Sequence, residues 1–334
     1  MDPGSPAAAP HGQGDVFLTG ASGFVGSHVL AALLARGYRV RALVRGPDLL
    51  PPGVVPVHGD LRTPATLLPA LRGCRYLVHT AAVYSFSPRD GATIADVNVR
   101  GTQGLLEVAR IAGVERSVVT SSSSALPPAR RSRPVDEGRW AEPQPGAVTY
   151  HSSKLLQERA ALRANTPVIT LLPTAPVGPG DHRPTPTGKI VVDLLRGRMP
   201  ATLRGGMNVV AVEDVAAAHV LALERGALRE RYIAGGVNLS LAELWRLIAR
   251  AAGLRGRIVP MPYAFAAAAA HADDLRVRLT GAAPAVPLEG VHMGRLDMYS
   301  TSARAIAELG YRPSSVGAAI ERAVRWYREH GYAT

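Results

Sequence analysis

Tyr150 and Lys154 stand four residues apart in Tyr150-His151-Ser152-Ser153-Lys154, a spacing that puts both side chains on one face of a helix. Lysine is scarce: of thirty-eight basic residues only Lys154 and Lys189 are lysines, and the rest are arginines. A free tyrosine, with a pKa near 10, is a poor base at neutral pH, and lowering it to about 7 takes about 4 kcal/mol. A unit positive charge about 4 Å away supplies that much at an effective dielectric of about 20. The third reactive piece is Thr120-Ser121-Ser122-Ser123-Ser124, where a serine hydroxyl can donate to a substrate oxygen while the tyrosine gives or takes its proton. Each piece alone also reads as an ordinary helix pair or a polar turn.

The segments around these residues must place them. Apolar runs over 16–20, 38–44, 54–60, 75–81, 116–122 and 167–173 read as buried strands. Amphipathic stretches over 27–37, 66–73, 98–112 and 149–165 read as helices between them. This rhythm predicts an α/β fold, a Rossmann-type doubly wound parallel sheet covered on both faces. The expected organisation is a disordered, Pro/Gly-rich tail over 1–14, a dinucleotide-binding domain over 15–174 to which later segments return, and a smaller substrate-binding lobe over most of 175–334. The lobe would sit at the carboxyl edge of the sheet, where open α/β folds bind ligands.

Gly20-Ala21-Ser22-Gly23-Phe24-Val25-Gly26 joins the first strand to the first helix. Gly20 allows a tight turn, Gly23 lets the backbone approach a pyrophosphate, Gly26 lets helix pack on strand, and the helix N-terminus supplies amide donors. The second strand ends in Arg41-Ala42-Leu43-Val44-Arg45, where an NAD-binding chain would carry an acidic residue for the ribose. Arg45 suits a 2′-phosphate, so NADP is the expected cofactor, with NAD open through Asp48. Lysine at 154 then gains a second reason: its three rotatable donors reach nicotinamide ribose hydroxyls while staying near the tyrosine, which a planar arginine fork does less well.

Bulk composition narrows the alternatives. The formal charge is +12, but the arginines are scattered, aromatics are 5% and no nucleic-acid motif accompanies them, so no nucleic-acid partner is expected. No run of eighteen apolar residues appears, and the Ala-rich stretch from Phe265 is too short to span a bilayer. Cys74 is the single cysteine, which fits a reducing cytoplasm. No metal site is expected.

Glycine loop, serine-rich strand end and Tyr-x-x-x-Lys, in this order, resemble the extended short-chain dehydrogenase/reductases of the NAD-dependent epimerase/dehydratase family. The likeness runs from Val16 to Tyr332 through HGDL at His58–Leu61, HTAAVY at His79–Tyr84, VNVRGT at Val97–Thr102 and ELGYRP at Glu308–Pro313. It implies catalysis by Ser122, Tyr150 and Lys154, with Ser123 as rival to Ser122. It implies cofactor contacts from Gly20, Ser22, Gly23, Phe24, Val25, Gly26, Arg45, Asp60, Leu61, Ala81, Ala82, Lys154, Pro173 and Val177, with Asp60 on the adenine side. Tyr84, Ser123 and Lys189 are the substrate candidates, and a homodimer through a helix pair that includes the Tyr150 helix is implied.

Within that family the GYRVRALVR stretch is similar to dihydroflavonol 4-reductases, and 183–226 resembles hopanoid-associated sugar epimerases. Ala211 departs from the histidine of the family's V-H-V-D-D pattern, which bears on specificity. A dehydratase would carry an acidic pair after the catalytic serine, where this chain has Ser123 and Ser124. The favoured expectation is an NADP(H)-dependent enzyme interconverting carbonyl and alcohol on a small specialised-metabolite, terpenoid or sugar-like molecule. The alternative is a nucleotide-sugar epimerase with tightly held NAD. A scaffold on this fold would have no need of an intact Ser-Tyr-Lys set.

Overall fold

In the first half of the chain, strands and helices alternate. The strands are β1 (Asp15–Thr19), β2 (Arg39–Val44), β3 (Val55–His58), β4 (Cys74–His79), β5 (Arg116–Thr120) and β6 (Val168–Pro173). Between them run α1 (Phe24–Ala35), α2 (Leu68–Leu71), α3 (Gly91–Ile94), α4 (Thr102–Ile111) and α5 (Tyr150–Arg163). The computed structural model describes residues 14–46, 50–85, 88–143, 148–198, 201–255, 258–282, 285–286 and 288–333. Residues 1–13 of the tail expected over 1–14, and Asp48, lie outside the described residues.

The second half contributes β7 (Ala175–Val177), α6 (Pro186–Leu195), β8 (Ala201–Thr202), β9 (Gly206–Ala211), α7 (Val212–Arg225), β10 (Arg231–Ala234), β11 (Val237–Ser240) and α8 (Leu241–Ala251). It ends with β12 (Val259–Pro260), α9 (Tyr263–Thr280), α10 (Leu288–Gly294), β13 (Asp297–Met298) and α11 (Val316–Glu329). The main sheet has seven parallel strands in the order β10-β6-β5-β4-β1-β2-β3. Strand order reverses between β1 and β4, which opens a crevice at their carboxyl ends. A second small sheet joins β7, β9, β11 and β13.

Helices cover both faces of the main sheet, so the central strands β1, β4, β5 and β6 are mainly buried, while the edge strand β3 is largely exposed. Alternation along β1 sends Val16 and Leu18 into a core with Val29 and Leu33 of α1 and Val215 and Leu223 of α7. Phe17 faces the other way, into a core with Leu77, Leu105, Leu106 and Val119. The later segments close a separate core around Val191, Val209, Ile248, Ile320 and Tyr327.

Two helices differ from their sequence reading. The helix expected over 66–73 is a 3₁₀ turn at Pro64–Leu67 followed by the four residues of α2, because Pro69 has no N–H to continue a longer run. The helix expected from Asn98 begins earlier, with α3 and a π-wound segment, Ala95–Gly101, leading into α4. Gly101 packs so tightly there that a Cβ would lie 3.0 Å from the Leu61 carbonyl oxygen. No helix among the described residues is long and apolar enough to cross a membrane.

Candidate active site

The glycine loop makes a cradle that only glycine fits. Gly20 has φ +78°, and a Cβ there would lie 2.6 Å from Thr80 Oγ1 and 2.7 Å from the Ala81 nitrogen. A Cβ on Gly26 would fall on the Gly20 carbonyl. Gly23 is the N-cap of α1, exposed, and offers no side-chain cap, while the first turn carries no acidic residue. The leading N–H groups of α1 are therefore left without a side-chain partner at the mouth of the crevice, the arrangement that suits a pyrophosphate. Ser22 is exposed beside Gly23, whereas Phe24 and Val25 are half-buried as α1 begins.

Across the crevice, α5 starts where a capping box fixes it: the Ser152 N–H donates to Thr149 Oγ1 at 3.3 Å and the Thr149 N–H donates to Ser152 Oγ at 2.9 Å. Tyr150, the first residue of α5, is thereby held opposite the end of β5. Of the serines at the strand end, Ser122 is the one that bears on the Tyr150 phenol, favouring its ionised form. Ser122 Oγ accepts from the Ser124 N–H at 3.1 Å, which orients it. Ser123 is the next residue along the 3₁₀ turn that Ser122 caps. Tyr84 lays its ring 4.2 Å from that of Tyr150 and is 43% exposed, so it lines the open side.

Lys154 lies one turn further along α5, only 2% exposed. Its Nζ donates to the Thr120 carbonyl and to Gln157 Oε1, both at 2.9 Å, and lies 6.0 Å from the centroid of the Tyr150 ring. Burial pushes the ammonium down to about 7, with Glu158 pulling the other way. Burial likewise drives the Tyr150 phenol above its ordinary value of 10, with Ser122 acting in the opposite direction. The net direction is therefore opposite to the lowering expected from Lys154, because burial prevails.

A crevice where the strand order reverses, a glycine cradle and a buried lysine beside a serine and a tyrosine set the comparison with known proteins. Residues 16–235 match the model of the NAD dependent epimerase/dehydratase family. The chain belongs to that family. Over 327 residues it is 36% identical to a dihydroflavonol 4-reductase candidate of Synechocystis sp., covering 95% of each chain. It is 32% identical over 323 residues to sterol demethylase protein B of Methylococcus capsulatus, covering 94% of this chain and 98% of that one. The crystal structure of gox2253 superposes with a TM-score of 0.84 at 37% identity, over 96% of this chain and all of the other. As a member of this epimerase/dehydratase family the protein is an NAD(P)-dependent enzyme.

The remaining expected positions of this family member fall in three groups. Arg45 is exposed at the end of β2. Asp60 is held below the ordinary carboxylate range by the hydrogen bonds of Arg62, with Arg45 acting in the same direction. Arg62, bidentate on Asp60, escaped sequence reasoning, although it follows the HGDL motif directly. Leu61, Pro173 and Val177 are buried, while Ala81 and Ala82 are half-buried just beyond β4. Lys189, by contrast, sits half-exposed on α6 in an ion pair with Asp193 one turn along.

Two further buried side chains also escaped sequence reasoning. Asn98, in the π-wound segment, receives the Val83 N–H at 2.7 Å and donates to Val83 O and Ser153 Oγ. Gln157 touches Lys154. The signal for Asn98 was its place in VNVRGT; nothing local in the sequence marked Gln157.

Proposed function

We propose that the protein is an NADP(H)-dependent reductase/dehydrogenase that interconverts a carbonyl and an alcohol on a small, largely apolar molecule, with Ser122, Tyr150 and Lys154 as its reactive set. The arrangement that supports this reading is Tyr150 and Lys154 on one face of α5 beside the end of β5, with Lys154 Nζ held by the Thr120 carbonyl 6.0 Å from the Tyr150 ring centroid and Ser122 bearing on the phenol. Ser122 donates to the substrate oxygen and orients it. Tyr150, a phenol and so protonated at neutral pH, delivers the proton to that oxygen in the reducing direction. Lys154 spends two of its three N–H donors on Thr120 and Gln157, leaving the third for a ribose hydroxyl. When bound, the nicotinamide gives hydride to the carbonyl carbon or takes it from the alcohol.

The glycine cradle and the N-terminus of α1 would hold the pyrophosphate, Asp60 and Leu61 the adenine side, Ala81 and Ala82 the crevice wall, and Pro173 and Val177 the nicotinamide through backbone groups. Arg45 at the end of β2, next to the Asp60–Arg62 pair, supports NADP over NAD by offering a cation to a 2′-phosphate. The names of the Synechocystis and Methylococcus relatives favour a polycyclic or terpenoid-like substrate over a nucleotide-sugar. Tyr84, exposed on the open side of Tyr150, is the side chain placed to meet it.

The deciding experiment is the nucleotide content of freshly purified protein, followed by titration with NADPH and NADH. The expected result is a largely empty protein that binds NADPH more tightly, with the preference shrinking about tenfold or more in Arg45→Ala. Near-stoichiometric retained NAD would overturn it in favour of an epimerase. Tyr150→Phe is expected to bind NADPH normally and turn over no carbonyl substrate; retained turnover would remove the phenol from the reaction.

A further inference from the structure

Gln157 is fully buried, three residues beyond Lys154 on α5. Its Oε1 accepts from Lys154 Nζ at 2.9 Å, so its Nε2 is the end that donates to Thr102 Oγ1, at 2.8 Å. The single Thr102 proton goes to the Asn98 carbonyl at 2.7 Å, which leaves Thr102 Oγ1 only as an acceptor toward His79 Nε2, 2.8 Å away. His79 therefore carries its proton on Nε2, and its bare Nδ1 accepts from Thr19 Oγ1 at 2.6 Å. Thr19 Oγ1 in turn receives the Ala81 N–H at 3.3 Å. The polarity of this buried chain is set at the Lys154 end.

We propose that Gln157 is the positioning residue for Lys154: its amide oxygen holds the ammonium in place and its amide nitrogen ties that grip, through Thr102 and His79, to Thr19 beneath the glycine loop. The proposal rests on the reading of Lys154 given above. A neutral amide in this position supports the charged form without cancelling it, whereas a carboxylate would lock the proton on and an apolar side chain would release it. The other ionisable groups facing Lys154 are His79 from β4 and Tyr150 and Glu158 on α5 itself. Glu158 is bound to Arg231 of β10, and His219 of α7 bonds the Thr120 side chain and the Val215 carbonyl, each at 2.8 Å. Burial holds His79 neutral, down to about 3, so it adds no competing charge at working pH.

Because the chain contains only two lysines, the test is direct. Protein labelled with ¹³C at lysine Cε gives two signals, and Lys189→Arg assigns them. Gln157→Glu should raise the Lys154 titration midpoint by about one pH unit or more, and Gln157→Leu should lower it by about one, with the alkaline limb of turnover moving the same way. Opposite shifts are not produced by a residue that merely fills space. Midpoints that stay put, or move together, in both folded variants would overturn the proposal, and if one variant does not fold the other still decides by the sign of its shift. If the midpoints split as expected while Lys154→Met keeps full turnover, positioning by Gln157 stands and the catalytic reading of Lys154 falls.

Discussion

Two buried charges sit one turn apart on α5, and the fold treats them in opposite ways. Glu158, wholly buried, accepts hydrogen bonds from Ser121 Oγ, Thr170 Oγ1, Arg231 Nε and Arg231 Nη2 at 2.8–3.3 Å. Arg231 is satisfied in turn by the carbonyls of Glu137 and Arg139, and its guanidinium lies 3.5 Å over the Trp140 ring. Lys154 has neutral acceptors alone among the described residues, Thr120 O and Gln157 Oε1. A buried charge with a full set of partners knits strand, helix and loop together. A buried charge given only dipoles is left ready to change its proton.

The largest effects should separate the two. Lys154→Met is expected to lower turnover about 10²- to 10⁴-fold. Chemical denaturation of the same variant should show stability unchanged or higher, since a desolvated charge has gone. Glu158→Ala is expected to lose about 3–5 kcal/mol in the same denaturation assay, because it leaves Arg231 buried and unpaired. If Lys154→Met unfolds as readily as Glu158→Ala, the contrast between the two charges fails.

A pH series sharpens it. Burial holds His79 down to about 3 and His219 to about 4, against an ordinary 6.5. The unfolded chain binds protons there that the fold refuses, so stability is full above about 6.5 and drops below it, by up to about 1.4 kcal/mol per pH unit for each histidine. Lys154 acts with the same sign higher up: it loses its proton near 7 in the fold and near 10.5 unfolded, so stability should climb across that interval. Denaturation midpoints against pH should show both slopes, and Lys154→Met should erase only the upper one. The smallest effect is expected from Trp140→Leu, which removes the ring under Arg231 and should cost about 1 kcal/mol in the same assay without changing turnover.

What the sequence could reveal follows from how local each feature is. The glycine loop was readable because Gly20, Gly23 and Gly26 act within one turn, and Tyr150 and Lys154 because helix periodicity alone puts them on one face. Alternating apolar runs carried the parallel sheet. Gln157 was invisible because its meaning comes from Thr102, fifty-five residues earlier. Burial around Tyr150 was hidden for a similar reason: the sequence shows a cation four residues away but not the desolvation that pushes the phenol up. Lys189 drew notice through rarity, and the fold pairs it with its own helix neighbour Asp193.

The outer position of β10 in the main sheet also orders events during synthesis. Arg231, the partner of Glu158, emerges from the ribosome seventy-three residues later, after the whole of α6, β9 and α7. At roughly 5–20 residues per second, that is a wait of roughly four to fifteen seconds. Until then the nascent sheet ends at β6 and holds an acidic group it cannot bury, so the final docking of α5 is deferred until the strand that neutralises it arrives.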